Sequence, residues 1–134
     1  MPREVSTVVA TPERPIRAVV IDDAPDIRDL LVMVLTRSGM RVVGQAGDGQ
    51  AGVDVVRAER PDVVLLDLAM PVMDGVEALP LIRALVPDAR IFVLSAFSDA
   101  VRDLVLADGG ADGYLVKGTP LRKIVEYVEA SLER

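Results

Sequence analysis

Along this chain, short runs of consecutive apolar residues alternate with longer segments in which apolar residues recur every three or four positions. The short runs predict buried β-strands, whereas the longer spacing predicts amphipathic helices. From Arg17 onward the alternation repeats five times. The five predicted strands cover residues 17–22, 41–46, 62–67, 90–95 and 112–117.

Two of the helices are clearly marked by an apolar stripe. The first has Pro25 near its start and Gly39 just past its end, where these residues are usually found. Its expected buried residues are Ile27, Leu30, Leu31, Val34 and Leu35. The last helix should be capped by Thr119, with Pro120 in its first turn. Its expected buried residues are Leu121, Ile124, Val125, Val128 and Leu132.

The three middle helices have less regular patterns. The second is expected over residues 50–59, and the fourth over residues 98–107. The third should run from Asp74 to Leu85, but Pro80 lies several residues inside it. Proline removes a backbone donor and clashes with the preceding turn, at a cost of about 3 kcal/mol. We therefore expect a kink, or a short turn followed by a new helix start at Pro80.

Five strand–helix units joined by short connections predict an α/β fold with a five-stranded parallel, doubly wound sheet, because right-handed crossovers leave few alternatives. The expected (βα)5 arrangement is flavodoxin-like, with strand order 2-1-3-4-5. Residues 16–134 would form this single domain. Residues 1–15 contain three prolines and no sustained periodicity, and they are expected to be a flexible leader.

Four charged residues lie at the carboxyl ends of three predicted strands. Asp22 and Asp23 mark the end of the first strand, Asp67 the end of the third, and Lys117 the end of the fifth. Taken singly, an acid pair can cap a helix and a lysine at a strand end is usually solvated. However, the carboxyl ends of parallel strands lie along one edge of a sheet, and strands one and three are neighbours in the expected order. We therefore expect these charges to meet in one crevice.

Three carboxylates in one crevice need a compensating charge. Each pair at 4 Å repels by about 4 kcal/mol at an effective dielectric constant near 20. Mg²⁺ prefers oxygen ligands and would offset this repulsion, and Lys117 supplies a second positive charge. A phosphoryl group between the two cations would have its charge neutralised from both sides, with Ser95 as a further hydroxyl donor. The pattern thus indicates phosphoryl chemistry.

The composition excludes several other classes of protein. The 134 residues contain neither Cys nor His, which rules out disulfides, thiolate metal sites and triads with a histidine base. A formal net charge of −6 argues against direct binding to nucleic acid. The sequence contains no apolar run of about 20 residues and no signal-peptide pattern, so we expect a cytoplasmic protein with no membrane contact.

Four stretches resemble the motifs of response-regulator receiver domains, in the right order and at the right spacing, over about residues 16–134. They are residues 20–23 (VIDD), 65–75 (LLDLAMPVMDG), 94–96 (LSA) and 110–117 (GADGYLVK). Most relatives have proline directly after the lysine, whereas this chain has Gly118-Thr119-Pro120. That variant is similar to the branch usually fused to a LuxR-type helix-turn-helix.

The resemblance implies a role for each charged residue. Asp67 would accept a phosphoryl group from a sensor histidine kinase or a phosphotransfer protein, as an acyl phosphate. Mg²⁺ would be bound by Asp22, Asp23, Asp67 and the backbone carbonyl of Ala69, while Lys117 would contact the phosphate. The implied function is signalling; the only chemistry would be the domain's own phosphoryl transfer and slow autodephosphorylation.

The resemblance also implies a conformational switch. Ser95 and Ala96 would contact the phosphate, and movement of Ser95 would let Tyr114 turn inward. This would remodel the surface formed by the fourth helix, fifth strand and fifth helix, where a downstream protein would bind. The resemblance is also compatible with a homodimer. Ala69 and the bulky Phe97 lie where side chains affect hydrolysis of the acyl phosphate, so its lifetime is not predicted.

Two alternative functions deserve comparison. Residues 47–52 match the G-x-G-x-x-G pattern of dinucleotide-binding proteins. However, they follow the second strand, and Asp48 would place a negative charge near the pyrophosphate. The stronger alternative is a receiver-like adaptor that binds a partner without being phosphorylated. The complete set of acids and lysine argues against the adaptor.

Overall fold

The sheet has five parallel strands in the order β2-β1-β3-β4-β5. The computed structural model describes residues 14–96, 99–107 and 110–132. The strands are β1 (Arg17–Ile21), β2 (Arg41–Ala46), β3 (Val63–Asp67), β4 (Arg90–Ser95) and β5 (Gly113–Val116). The predicted fold class and strand order are confirmed, and each strand lies within one residue of its predicted bounds.

A helix follows each strand. The helices are α1 (Pro25–Arg37), α2 (Gly49–Glu59), α3 (Gly75–Leu85), α4 (Asp99–Ala107) and α5 (Leu121–Leu132). Ser98, the predicted start of the fourth helix, lies outside the described residues, as do residues 1–13 of the predicted leader. Within the described ranges, no helix combines the length and the apolar character that crossing a bilayer requires.

Alternating side chains along the strands supply two separate cores. On one face, Val19, Leu66 and Val93 pack with residues of α2, α3 and α4. On the other face, Val20 and Leu65 pack with residues of α1 and α5. A strand projects successive side chains to opposite faces, so continuous apolar runs are needed when both faces are covered by helices. This explains the unbroken apolar runs of the sequence.

The predicted buried stripe of α1 is partly wrong. Leu31 and Leu35 are buried in the core, and Val34 is half-buried. Ile27 and Leu30, however, are exposed to 38% and 40%. The stripe correctly located the helix, but only Leu31, Val34 and Leu35 of the stripe are buried or half-buried. The two apolar side chains nearest the start of α1 therefore face solvent.

Helix α3 continues through Pro80 without a new start, contrary to one of the two outcomes predicted for it. Pro80 is exposed, so its ring lies on the solvent side. Buried Leu79 and Ile82 anchor the neighbouring positions in the core. At the start of the helix, the Asp74 carboxylate accepts a hydrogen bond from the Glu77 N–H, and the Glu77 carboxylate accepts one from the Asp74 N–H. This capping box and the buried contacts stabilise the helix despite the missing donor.

The start of α5 also differs from the prediction. The helix begins at Leu121, and the carbonyl of Pro120 accepts hydrogen bonds from the Lys123 and Ile124 N–H groups. The Thr119 hydroxyl instead donates to the Val116 carbonyl at 2.6 Å, which closes the turn after β5. The buried stripe of α5 is as predicted: Ile124, Val128 and Leu132 are buried, with Leu121 and Val125 packed against the same core.

Arg83 ties together several segments at the amino-terminal edge of the sheet. Its guanidinium donates to the carbonyl of Gly110, to that of Ala89 at 2.7 Å, and to the Asp112 carboxylate at 2.6 Å. The same Asp112 oxygen accepts the N–H of Ile91 at 2.8 Å. One side chain of α3 therefore fixes the starts of β4 and β5.

Candidate functional site

Three carboxylates meet at the carboxyl-terminal edge of the sheet. Ile21 pairs with Leu66 in the register of β1 and β3, so Asp22 and Asp67 lie side by side one position further on. Asp22, Asp23 and Asp67 each offer one oxygen atom, and these atoms lie within 4.8 Å of one another. Asp22 and Asp67 are buried, whereas Asp23 is exposed. The structure thus brings together the three acids that the sequence placed at strand ends.

Lys117 joins this cluster from the segment after β5. Its Nζ lies 3.1 Å from Asp67 Oδ2, to which it donates a hydrogen bond, and 3.7 Å from Asp22 Oδ2. The backbone N–H of Lys117 donates to the Ser95 carbonyl, which holds the segment against the end of β4. One ammonium therefore faces three carboxylates, and the site retains excess negative charge.

Burial and charge shift the pKa values of the Asp67–Lys117 pair. Burial raises the pKa of the Asp67 carboxyl above its ordinary 3.8, and the charge of Asp22 raises it further, although the bond from Lys117 opposes both. Burial lowers the pKa of Lys117, but the hydrogen bond to Asp67 and the surrounding negative charges outweigh it, so this pKa is raised above 10.5. Both shifts reflect a buried carboxylate that lacks full compensation.

The donor set fits a small divalent cation. Oxygen ligands, chiefly carboxylates, are those that Mg²⁺ takes in proteins. Asp22 Oδ2 is buried and accepts no hydrogen bond, although its other oxygen accepts the Ala24 N–H at 2.9 Å. A buried carboxylate oxygen without a hydrogen bond is unfavourable. A cation bound among Asp22, Asp23 and Asp67 would satisfy this atom.

Two glycines hold the loop between β3 and α3 close to its neighbours. The Gly75 N–H donates to the Leu68 carbonyl at 2.7 Å, and the Gly49 N–H donates to the Met73 carbonyl at 2.9 Å. A Cβ on Gly75 would overlap the Asp67 carbonyl oxygen, and one on Gly49 would overlap the Met73 carbonyl oxygen. Only glycine permits these approaches. The loop next to Asp67 is therefore fixed at its start and at its end.

Other residues expected at the site lie along the same edge. Ala69 donates its N–H to Asp67 Oδ1 at 3.3 Å. Ser95 ends β4 with its side chain buried, and Ala96, which follows it, is exposed. Tyr114 is half-buried and packs against the core under α3 and α4. The roles of the Ala69 carbonyl, Ser95, Ala96 and Tyr114 stay predictions, and Phe97 lies outside the described residues.

The glycine-rich segment after β2 serves helix packing. The Asp48 carboxylate caps α2 by accepting the Ala51 N–H at 2.8 Å. Gly52 lies against Ile21, where a Cβ would come within 2.8 Å of the isoleucine side chain. These contacts account for Asp48 and Gly52 without a nucleotide.

Sequence reasoning gave no role to Arg28, which the structure places beside the acids. Its guanidinium donates to the Asp22 carbonyl at 2.8 Å. The only available signal was its position, one turn into the helix that follows the acid pair. A backbone carbonyl is an acceptor at every residue, so the sequence alone does not reveal this contact.

Comparison with known proteins gives a consistent family assignment. The family model described as response regulator receiver domain matches residues 18–129. The probable transcriptional regulatory protein NarL of Mycobacterium tuberculosis is 37% identical over 118 residues, which are 87% of this chain and 54% of that protein. The chain thus spans about half the length of this relative.

Two solved structures have the same fold. A LuxR-family two-component response regulator from Aurantimonas sp. SI85-9A1 superposes with a TM-score of 0.80 and 30% identity, covering 89% of this chain and 86% of that one. The CheX–CheY–BeF3–Mg²⁺ complex from Borrelia burgdorferi gives a TM-score of 0.82 and 27% identity, covering 87% and 88%. The sequence resemblance is thereby confirmed, including the similarity to LuxR-family regulators.

Proposed function

Because the chain belongs to the response regulator receiver domain family of two-component signalling, we propose that Asp67 accepts a phosphoryl group from a sensor histidine kinase or a phosphotransfer protein. The observation that carries this proposal is the cluster itself. Asp67 lies in contact with the Lys117 ammonium, next to an Asp22 oxygen that accepts no hydrogen bond. These are the elements that a receiver needs to bind and neutralise an incoming phosphoryl group.

The proposed reaction is a displacement at phosphorus. A carboxylate oxygen of Asp67 attacks the phosphorus of the donor phosphohistidine; the P–O bond forms as the P–N bond breaks, and the imidazole leaves. The Lys117 ammonium lies 3.1 Å from Asp67 Oδ2 and supplies positive charge next to the new acyl phosphate. Such positioned charges are the main catalytic contribution of proteins to phosphoryl transfer. The chain acts as an acceptor in signalling.

The same residues would hold Mg²⁺. Asp22, Asp23 and Asp67 provide carboxylate oxygens within 4.8 Å of one another, and we propose the Ala69 carbonyl as a further ligand. When bound, the ion supplies positive charge that stabilises the transferring phosphoryl oxygens. Asp22 and Asp67 are buried at the edge of the sheet, and each has an oxygen within reach of the others of this cluster. The similar CheX–CheY complex from Borrelia burgdorferi contains Mg²⁺, which supports this choice of ion.

Phosphorylation would change a protein-binding surface formed by α4, β5 and α5. Ser95 and Ala96 would contact the phosphoryl group, and Tyr114 would follow the movement of Ser95. This surface carries exposed apolar side chains, with Leu104 exposed to 49% and Val116 to 57%. Exposed apolar residues of this kind suit a downstream protein or a second copy of the chain. We propose a cytoplasmic signalling domain over residues 16–134, after a leader of residues 1–15.

The test is intact-mass analysis after incubation with acetyl phosphate and Mg²⁺. We expect the mass of one phosphoryl group on the full chain and none on Asp67→Asn. Asp54→Asn removes an exposed carboxylate of α2 and serves as the matched control, which should be labelled like the original chain. If neither acetyl phosphate nor a histidine kinase forms the adduct, the adaptor that acts without phosphorylation would be favoured. An adduct that persists in Asp67→Asn would also contradict the proposal.

A further inference from the structure

Arg28 reaches back from the first turn of α1 to the segment that carries the acid pair. Its guanidinium donates a hydrogen bond of 2.8 Å to the backbone carbonyl of Asp22. Of the described hydrogen-bonding side chains of α1, it is the one that contacts this segment. The guanidinium thus lies beside the cluster of carboxylates without occupying any of their oxygens.

Gly47 leaves the space that this guanidinium needs. A Cβ built on Gly47 would lie 3.1 Å from Arg28 Nη1 and would meet no other atom within 4 Å. Because Gly47 belongs to the loop after β2, the guanidinium lies between that loop and the segment after β1. The arrangement depends on residues from two separate strand ends, in addition to α1 itself.

The peptide between Asp22 and Asp23 is the part that Arg28 fixes. The Asp22 N–H donates to the Ala46 carbonyl at 3.0 Å, and Asp22 Oδ1 accepts the Ala24 N–H at 2.9 Å. These bonds hold the Asp22 side of the peptide. The Asp22 carbonyl and the Asp23 N–H belong to the same planar peptide unit. A donor that fixes this carbonyl therefore also fixes the orientation of the Asp23 backbone.

Asp23 has little else to orient it. It is exposed, and in the described part of the chain no hydrogen bond to its carboxylate is found. Its nearest constraint is therefore the peptide plane that Arg28 holds. Asp23 must nevertheless present an oxygen to the same point as the buried Asp22 and Asp67.

We propose that Arg28 is a positioning residue for the cation site: it locks the Asp22–Asp23 peptide so that both carboxylates face one ion. This inference rests on the proposed function, in which the ion is Mg²⁺. It assigns to the arginine a role distinct from that of Lys117. Lys117 binds a carboxylate directly, whereas Arg28 acts through the backbone.

The sign of the effect separates positioning from simple electrostatics. Arg28 carries a positive charge near a site for a cation, so removal of the charge alone would reduce repulsion and tighten Mg²⁺ binding. Loss of a positioning contact has the opposite effect, because one carboxylate is no longer held in place. Partners that orient metal ligands typically contribute about 10–100-fold to affinity. Since Arg28 acts through the backbone, we expect about tenfold weaker binding, at the lower end of this range.

The experiment is isothermal titration calorimetry of the full metal-free chain with MgCl₂. Arg28→Met is expected to bind Mg²⁺ about tenfold more weakly than the original chain. Arg28→Lys keeps the charge and one donor group, and its affinity should fall between the two. Arg57→Met removes an exposed arginine of α2 that pairs with Asp54, and it should bind as the original chain does.

Gly47→Val is a second variant that leaves all the charges intact. Its branched side chain would occupy the place of the guanidinium, so Mg²⁺ binding should also weaken. Thermal unfolding without Mg²⁺ is measured for each variant, because a purely structural role of Arg28 would lower the unfolding temperature and leave Mg²⁺ affinity unchanged. That result, or equal or tighter Mg²⁺ binding by Arg28→Met, would overturn the inference. Absence of Mg²⁺ binding by the original chain would overturn the proposed metal site as well.

Discussion

Replacement of Gly75 by alanine tests whether the loop beside Asp67 is as closely packed as the structure indicates. A Cβ at this position would overlap the Asp67 carbonyl oxygen and come within 2.7 Å of Leu68 Cα. Both are backbone atoms, so they cannot rotate away as a side chain would. Either the start of α3 or the loop must move, and the hydrogen bond from Gly75 N–H to the Leu68 carbonyl is then lost.

The expected change in unfolding free energy follows from opposing effects. Overpacking typically destabilises by about 1–3 kcal/mol, and loss of a backbone hydrogen bond contributes about 1 kcal/mol more. Alanine is favoured over glycine in a helix by up to about 1 kcal/mol, which offsets part of this. We therefore expect Gly75→Ala to destabilise the domain by about 1–3 kcal/mol. For a domain of this size, the unfolding temperature should fall by roughly 3–10 °C.

The assay is thermal unfolding followed by far-ultraviolet circular dichroism, without Mg²⁺. Ala84→Gly is the matched control, because Ala84 is an exposed residue of the same helix and the reverse exchange measures helix propensity alone. Phosphorylation by acetyl phosphate should also decrease in Gly75→Ala, since the displaced backbone carries Asp67. An unfolding temperature equal to or above that of the original chain would refute the close approach at Gly75.

Three further outcomes are expected. Lys117→Met should reduce formation of the Asp67 phosphoryl adduct more than tenfold by intact-mass analysis, because one transition-state charge contact contributes about 3 kcal/mol or more. The pKa of Asp67 is raised in the folded state, so folding favours its protonated form. The stabilisation of the folded state that results is present below pH 3.8 and is lost as the pH rises through the folded-state pKa. Without Mg²⁺, chemical denaturation should therefore show Asp67→Asn to be more stable than the original chain at neutral pH, with the difference shrinking in acid. Arg83→Met should lower the free energy of unfolding by about 2–4 kcal/mol in the same measurement, because several carbonyls and the Asp112 carboxylate lose the guanidinium as a donor. Arg57→Met, which breaks only an exposed pair, should change stability by less than about 1 kcal/mol.

The sequence predicts the sheet and the meeting of the acids because both depend on position along strands. Asp22 and Asp67 end apolar runs that their alternation with helices predicts to be parallel strands, and the strand order then makes them neighbours. Apolar spacing is less informative about which helix positions are buried. Ile27 and Leu30 belong to the same stripe as Leu31, yet they face solvent because the opposing elements contact only part of that stripe. Periodicity identifies a helix, but its partners decide how much of it is covered.

The remaining differences arise from interactions that residue types do not specify. Pro80 suggested a break in α3, but the capping box and buried neighbours outweigh its missing donor. Thr119 was expected to cap α5, but its hydroxyl finds a carbonyl in the preceding turn. Arg28 and Arg83 donate to backbone carbonyls of segments distant in sequence. Such acceptors exist at every residue, so only the folded structure identifies the ones that are used.

The contacts of Arg83 make the two ends of the strands mechanically unequal. At one end, directional hydrogen bonds hold the starts of β4 and β5, and their strength does not depend on any bound ion. At the other end, three carboxylates converge beside the Lys117 ammonium, and the proposed cation would offset the repulsion that remains between them. Ion binding should therefore tighten the sheet from one end only. On ion binding, amide exchange in β4 and β5 would slow most beside Ser95 and Val116 and would hardly change beside Ile91.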